Sequence, residues 1–210
     1  MTLERIPLEW CVTHAEPPDG SKVLGYRPPD NYELERFTCT RAHIEDWQRN
    51  YNCKIKTILE VGCGLGVFMM QVATECPEYE ITGIDPEPEY IVEANKFKAK
   101  RKLNNLEFIC SDYRDYKTDL KFDIVMCCEV LEHLKDWQDC VKWCYNHLSE
   151  PSGRLLISVP DSGKILDKDH KTVFTQDMFD YIPYKHWVYS CPDYWLLWYA
   201  DRWELQDVFE

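Results

Sequence analysis

The sequence lacks the features of membrane and secreted proteins. Its longest apolar runs, residues 122–128 and 155–160, are far shorter than the ~20 residues that a membrane helix needs. The amino terminus has no basic region followed by an apolar segment, so no secretory signal is predicted. Without such a signal, the eleven cysteines are expected to be thiols rather than disulfides. These absences predict a cytoplasmic protein without a membrane span.

Zinc-binding cysteine motifs and an excess of basic residues are also missing. No C-x-x-C pair occurs, and Cys140 and Cys144, one helical turn apart, supply only two of the four ligands that a structural zinc site needs. The net charge is −13, which disfavours nucleic acid and anionic membranes, because phosphate binding depends on Lys and Arg. The one basic run, residues 96–102, is interpreted as a solvated helix end. A small-molecule partner is therefore favoured over nucleic acid.

What the sequence does contain is a regular alternation of short apolar strands and helices. Five strands are predicted at 57–61, 80–84, 106–110, 122–128 and 154–159, and helices at 67–76, 88–100 and 131–148. Aromatic runs at 186–190 and 193–202 suit an antiparallel hairpin. The predicted fold class is α/β, a doubly wound, seven-stranded, mainly parallel sheet with helices on both faces and a C-terminal antiparallel hairpin.

The first 50 residues differ from the rest. They carry turn-forming stretches such as PPDG at 17–20, followed by a plausible helix over 37–51 with Ile44 and Trp47 on one side. The expected organisation is therefore an N-terminal lead-in or lid (1–50) and one α/β domain (51–210).

A glycine-rich loop joins the first strand to the first helix. In ILEVGCGLGVF (58–68), Gly62, Gly64 and Gly66 permit tight turning and close approach to a ligand. Asp85, at the end of the second strand, follows about 20 residues later, the spacing of a ribose-binding acid. Compared with the dinucleotide fingerprint, the third glycine comes one residue early, and Glu60 would repel a pyrophosphate. A nucleoside with a cationic amino-acid arm suits this loop better than a nicotinamide dinucleotide.

Four motifs together resemble a known family. E-V-G-C-G-x-G, the Asp that ends the second strand, S-D-Y at 111–113 and C-E-V-L-E-H-L at 128–134 are similar to those of class I S-adenosylmethionine-dependent methyltransferases. The resemblance covers about residues 55–160 and implies that S-adenosylmethionine is the methyl donor. The donor-binding residues that it implies are Glu60, Gly62, Gly64, Asp85, Pro86, Asp112, Tyr113, Cys128 and Glu129.

By the same resemblance, each position has a role. Glu60 and the glycines line the methionine arm, Asp85 holds the ribose, Asp112 accepts from the adenine amino group beside Tyr113, and Cys128 and Glu129 lie near the sulfonium. Two alternatives stay open: Asp112 as a turn cap and Tyr113 as a packing residue.

The stretch CCEVLEHL (127–134) predicts the catalytic centre. On a helix, Glu129 would lie over Glu132 and His133. It resembles the E-x-x-E-H motif of ubiquinone-pathway O-methyltransferases, which binds a divalent cation, and small-RNA 2′-O-methyltransferases add a distant His, for which His170 is the candidate. The predicted ligands of Mg²⁺, Mn²⁺ or Zn²⁺ are thus Glu129, Glu132, His133 and His170.

The alternative is a site without metal. Glu129 then closes the donor pocket, Glu132 makes a hydrogen bond at the start of the helix, and His133 packs or acts as general base. Glu129 and His133 are the predicted catalytic residues.

Aromatic residues in 1–50 and 161–192 suggest an acceptor with an apolar or ring-bearing body, although the same rings would also suit sheet edges. The predicted function is methyl transfer to a small molecule, at a hydroxyl oxygen. The alternatives are an RNA ribose 2′-O-methyltransferase, a catalytically silent partner protein and, more distantly, an NAD-dependent oxidoreductase.

Overall fold

The computed structural model describes most of the central part of the chain. The described residues are 55–160, 168–175, 40–42, 44–45, 48–49 and 178, together with the backbones of 12–15, 23–26, 187–191 and 195–201. Within them, no helix has both the length and the apolar character needed to cross a membrane. The predicted helix over 37–51 is helical where it is described. The sequence also predicts a helix near 176–181, which falls almost wholly outside these residues, as do most of the aromatic residues of 1–50 and 161–192.

The central sheet contains five parallel strands, followed by two antiparallel strands at one edge. Its strands are β3 (Thr57–Val61), β4 (Glu80–Asp85), β5 (Leu106–Cys110), β6 (Ile124–Cys128), β7 (Arg154–Pro160), β8 (Trp187–Cys191) and β9 (Trp195–Asp201). They lie in the order β5-β4-β3-β6-β7-β9-β8, in which β3 to β7 are parallel and the backbones of β8 and β9 pair antiparallel beyond β7. The strands β1 (Val12–Ala15) and β2 (Val23–Tyr26) form a separate antiparallel pair. The expected α/β class with a mainly parallel sheet is confirmed.

Three of the described helices cover the two faces of this sheet. They are α1 (Val67–Glu75), α2 (Pro88–Arg101) and α3 (Trp137–Asn146). In β3, Leu59 and Val61 belong to the buried core that contains α3, whereas Ile58 belongs to the core of α1 and α2. This alternation follows from the two-residue period of a strand, and burying one such aliphatic side chain contributes about 1.5–3 kcal/mol.

The predicted continuous helix over 131–148 is wrong. A 3₁₀ turn occupies Leu131–His133, Leu134 is extended, and α3 begins only at Trp137. In a continuous helix the carbonyls of residues 132 and 134 would accept N–H groups four residues later. Instead, the Glu132 carbonyl accepts the N–H groups of Lys171 and Thr172, at 2.7 and 3.1 Å. Hydrogen bonds from the segment 168–175 therefore replace those that would have extended the helix.

The strand order places a crevice at the middle of the sheet. β3 pairs with β4 on one side and with β6 on the other, so the connections after β3 and β6 lead away in opposite directions. In open α/β sheets, ligands bind at such a switch point, beyond the carboxyl ends of the strands. The loop 62–66 and residues 128–130 flank this crevice.

Candidate active site

Two backbone hydrogen bonds hold the glycine loop at the carboxyl end of β4. The backbone N–H groups of Gly62 and Cys63 both donate to the Ile84 carbonyl, at 2.8 and 3.0 Å. Gly62, Gly64 and Gly66 all have positive φ, of 72°, 52° and 68°, a backbone region that residues other than glycine rarely adopt.

The three glycines differ in what surrounds them. A Cβ atom on Gly62 would lie 2.2 Å from Cγ2 of Val130, and one on Gly66 would lie 2.1 Å from Cζ of Phe108. A Cβ atom on Gly64 would meet nothing within 4 Å. Gly62 and Gly66 are therefore packed against the protein, whereas Gly64 borders open space.

Asp85 faces the loop from the end of β4. Its side chain accepts the Gly64 N–H at Oδ2 and the Glu87 N–H at Oδ1, both at 2.9 Å. Asp85 is only 7% exposed, and this burial raises its pKa against the opposing effect of the two hydrogen bonds. Each carboxylate oxygen has a second lone pair, so Asp85 can accept two further hydrogen bonds. The neighbouring Pro86 is exposed.

The surroundings of the loop are negative. Glu60 is buried in β3, and both Glu60 and Asp85 act on the Cys63 thiol, whose pKa is raised first by burial and then by these two carboxylates. Two buried acids beside the loop favour a cationic ligand group and disfavour a pyrophosphate.

Asp112 follows β5 and is already engaged. Its Oδ1 accepts the backbone N–H of Arg114 at 2.9 Å, and its two oxygens accept from Nε and Nη2 of the same side chain, each at 2.8 Å. These hydrogen bonds lower the pKa of Asp112. The ring of Tyr113 is buried, edge-on to Trp143, with the Arg114 guanidinium 5.1 Å from its centroid. Asp112 thus forms a turn, and Tyr113 packs into the core.

At the end of β6, Cys128 is buried and Glu129 turns the chain out of the sheet with φ +57°. The Glu129 N–H donates to the Ser158 carbonyl at 2.9 Å, and its Oε1 accepts from Ser158 Oγ at 2.8 Å. The Glu129 side chain is therefore fixed to β7 at the rim of the crevice.

Three of the four predicted metal ligands come together. Glu132, His133 and His170 offer ligand atoms that all lie within 4.8 Å of one another. The rings of His133 and His170 are 5.1 Å apart, and Nε2 of His133 is 4.0 Å from Oε1 of Glu132. Glu132 is 2% exposed and His133 is 46% exposed by side chain. Glu129 is not part of this group, because it lies on a left-handed turn and not on a helical face shared with Glu132.

Two neighbours of the site, Ser158 and Arg114, were not predicted from the sequence. Ser158 orients Glu129, and its signal was a polar residue inside the apolar run 155–159. Arg114 binds Asp112, and a cation two residues after an acid was the available sign.

The fold and site define a class of Rossmann-like α/β proteins that bind a nucleoside-containing ligand at the switch point. More narrowly, residues 59–155 match the family model described as a methyltransferase domain. Residues 59–155 are thus similar to the class I S-adenosylmethionine-dependent methyltransferases.

Curated relatives with N- and O-methyltransferase names match the central part. A probable (S)-tetrahydroprotoberberine N-methyltransferase 2 from Papaver bracteatum is 30% identical over 54% of this chain and 30% of its own length. The ubiquinone biosynthesis O-methyltransferase of Coxiella burnetii is 32% identical over 53% of this chain and 46% of its own length. The chain spans less than half the length of these relatives.

Solved methyltransferase structures share the fold. The plantazolicin methyltransferase in complex with S-adenosylhomocysteine (SAH) and a triazolic analogue has a TM-score of 0.67 at 17% identity, covering 81% of this chain and 86% of that chain. The magnesium protoporphyrin IX methyltransferase of Synechocystis PCC 6803, with bound S-adenosylmethionine, has a TM-score of 0.63 at 15% identity, covering 85% and 86%.

Proposed function

We propose that this protein transfers a methyl group from S-adenosylmethionine to a small-molecule acceptor, at a hydroxyl oxygen. The observation that carries the proposal is the open space at Gly64 beside the buried Asp85 carboxylate, at the switch point of a sheet whose residues 59–155 match the methyltransferase family model. Such a space admits a ligand backbone close to the loop, and the free lone pairs of Asp85 suit the two hydroxyls of a ribose.

S-adenosylmethionine, when bound, supplies a methyl group on a sulfonium. We assign Gly62 and Gly64 to the wall of its site, Glu60 to its ammonium group, and Asp85 to the ribose with Pro86 beside it. Cys128 and Glu129, at the end of β6, face the reacting centre. The buried Glu60 carboxylate matches the cationic amino-acid arm, since opposite charges attract strongly in a partly buried site.

Asp112 and Tyr113 are assigned to the adenine side. In this proposal Arg114 holds the Asp112 carboxylate in place, and the second lone pair on Oδ2 accepts from the adenine amino group. Tyr113 contributes from its buried position as the floor under that group rather than as a stacking ring.

The chemistry left to the protein is alignment and removal of the acceptor's proton. Alignment of two bound reactants supplies a large part of a rate enhancement. His133 is the proposed general base, because its imidazole is exposed toward solvent and lies 4.0 Å from the Glu132 carboxylate. Glu129, anchored by Ser158, shapes the wall where donor and acceptor meet.

Glu132, His133 and His170 also fit a divalent cation. One carboxylate and two imidazoles suit Zn²⁺ or Mn²⁺ and leave a position for a further ligand. When bound, such a cation would lower the pKa of an acceptor hydroxyl. The segment 168–175 holds His170 in place: Thr172 Oγ1 donates to the Leu134 carbonyl at 2.9 Å, beside the bonds to Glu132. His133 cannot be a metal ligand and a free general base at the same time. Turnover measured with and without a chelator distinguishes the two roles.

The lead-in 1–50 is proposed as the lid over this crevice, and its aromatic residues, with those of 161–192, as the pocket for an apolar or ring-bearing acceptor. The antiparallel strands β8 and β9 complete the sheet as its C-terminal hairpin in this proposal. The cysteines whose side chains are described form no disulfide with one another, which supports a reducing compartment such as the cytoplasm. The ubiquinone relative supports oxygen as the methylated atom, and the Papaver relative makes nitrogen the alternative.

Calorimetric titration with SAH, before and after EDTA treatment, tests the donor site. Binding is expected in both samples and is expected to be lost in Asp85→Ala. His133→Ala should keep SAH affinity but lose turnover on a panel of phenols, amines and short RNAs. Failure of the wild type to bind SAH would favour a silent partner protein, and turnover on RNA alone would favour the ribose 2′-O-methyltransferase.

A further inference from the structure

Three cysteines meet between the sheet and α3. Cys127 lies on β6, and Cys140 and Cys144 lie one turn apart on α3. Each is 0% exposed. The sulfur atoms of Cys127 and Cys140 are 4.0 Å apart, and all three sulfur atoms lie within 4.8 Å of one another. We call this group the thiol triad.

The triad packs in the same buried core as Tyr113 but contains none of the residues assigned to the donor site. Cys127 packs in the core of α3, whereas its neighbour Cys128 packs in the core of α1 and α2, on the other face of the sheet. Adjacent residues of a strand point to opposite faces, so the triad lies on the α3 side.

The spacing of the triad is that of a ligand set. Three sulfur atoms about 2.3 Å from a common centre, the usual distance for a thiolate ligand, stand at most about 4 Å from one another, and closer when the central atom is pyramidal. A disulfide would instead need two sulfurs at about 2.05 Å. The triad therefore takes a central atom with small side-chain adjustments, whereas a disulfide requires a larger approach.

Burial then selects the charge of that atom. Three thiolates carry three negative charges, and an uncompensated charge is costly in a site that water cannot reach. A structural Zn²⁺ needs four ligands, and among the described residues the group contains three. A trivalent thiophilic atom that replaces the three S–H hydrogens gives a complex without net charge.

We propose that the thiol triad is a binding site for one trivalent thiophilic metalloid, of the class represented by arsenite. Arsenous acid, As(OH)₃, reacts with three thiols to form three As–S bonds and three molecules of water, with no change of oxidation state. The product joins β6 to α3 through one atom.

Native mass spectrometry after incubation with arsenite tests the proposal. The wild type should gain one arsenic atom and lose three hydrogens, because each thiol gives up its proton and no hydroxyl remains on the arsenic. Cys140→Ala leaves two thiols, so its adduct should be absent or should retain a hydroxyl. Cys110→Ser, which removes an exposed thiol outside the triad, should behave as the wild type.

A second measurement keeps the test independent of variant folding. Arsenic X-ray absorption on the wild-type adduct should show three sulfur neighbours, and arsenite should raise the melting temperature of the wild type but not of the triple Cys→Ala variant. The proposal fails if the wild type takes up no arsenite, or if Cys140→Ala still loses three hydrogens. Preferential uptake of Cu(I) or Zn(II) in competition would overturn the choice of a trivalent atom.

Discussion

Alanine substitutions at two glycines of the same loop separate donor binding from folding. Gly64 and Gly66 both have positive φ, and each lies in the loop between β3 and α1. They differ in their surroundings: Gly64 borders open space, whereas Gly66 packs against the buried ring of Phe108. Gly64→Ala should therefore act on the ligand, and Gly66→Ala on the fold.

The geometry gives the expected size of each effect. A residue with a Cβ atom in the left-handed region costs roughly 1–2 kcal/mol, which both variants bear. Gly66→Ala adds the clash with the Phe108 ring, and overpacking of a core costs about 1–3 kcal/mol more. At about 2–4 °C per kcal/mol for a protein of this size, Gly64→Ala should lower the melting temperature by about 2–8 °C, and Gly66→Ala by roughly twice as much.

Donor affinity should change in the opposite order. If the donor occupies the space beside Gly64, the added methyl group should cost about 1–3 kcal/mol, a loss of roughly 5- to 150-fold in SAH affinity. Calorimetry well below both melting temperatures measures this loss, and thermal melts measure stability. Unchanged SAH affinity in Gly64→Ala would refute the placement of the donor. A melting temperature of Gly64→Ala as low as that of Gly66→Ala would refute the open space at Gly64.

The other predictions concern charge and metal. Since burial raises the pKa of Asp85, SAH affinity of the wild type should fall as pH drops through that raised value, whereas Asp85→Asn should bind weakly at every pH; calorimetry across a pH series checks both. Arg114→Ala should lower the free energy of unfolding by less than about 1 kcal/mol, because the ion pair with Asp112 is largely exposed. The lowered pKa of Asp112 stabilises the fold above the ordinary Asp pKa and loses that effect as pH falls through the lowered value, so urea unfolding should show the difference near neutrality and not in acid. His170→Ala should abolish stimulation of turnover by Mn²⁺ or Zn²⁺ without changing SAH affinity, while His147→Ala, outside the cluster, should leave the stimulation intact; equal stimulation in both variants would exclude His170 as a ligand.

Much of the fold was predictable because the parallel strands carry a strong local signal. β6 is a continuous apolar run, as expected for a strand buried on both faces, and the glycines and Asp85 mark the ends of β3 and β4. The one helix that was predicted wrongly, over 131–148, has helical spacing throughout its sequence. Its first turn is diverted by hydrogen bonds from Lys171 and Thr172, which are far away in the chain and invisible to a periodicity argument.

The site was predictable where one residue type serves one geometric need. Positive φ needs glycine, and Gly62, Gly64 and Gly66 were found from the sequence for that reason. Contacts between side chains on different elements were not predictable. The pairing of Arg114 with Asp112 occupies an acid that the resemblance reserves for adenine, and a sequence pattern does not show how a flexible side chain is oriented.

The conformation of Glu129 explains why the predicted ligand set divides. A non-glycine residue with φ +57° is strained unless its surroundings hold it there, and Glu129 is held by two hydrogen bonds to Ser158. The left-handed turn ends β6 and keeps the carboxylate at the crevice. The following 3₁₀ turn then presents Glu132 and His133 to the segment that carries His170. Residues 129–133 thereby contribute to two proposed sites. Glu129 faces the proposed donor site, and Glu132 and His133 belong to the group proposed to act on the acceptor. Local strain at a strand end thus separates functions that a continuous helix would have placed on one face.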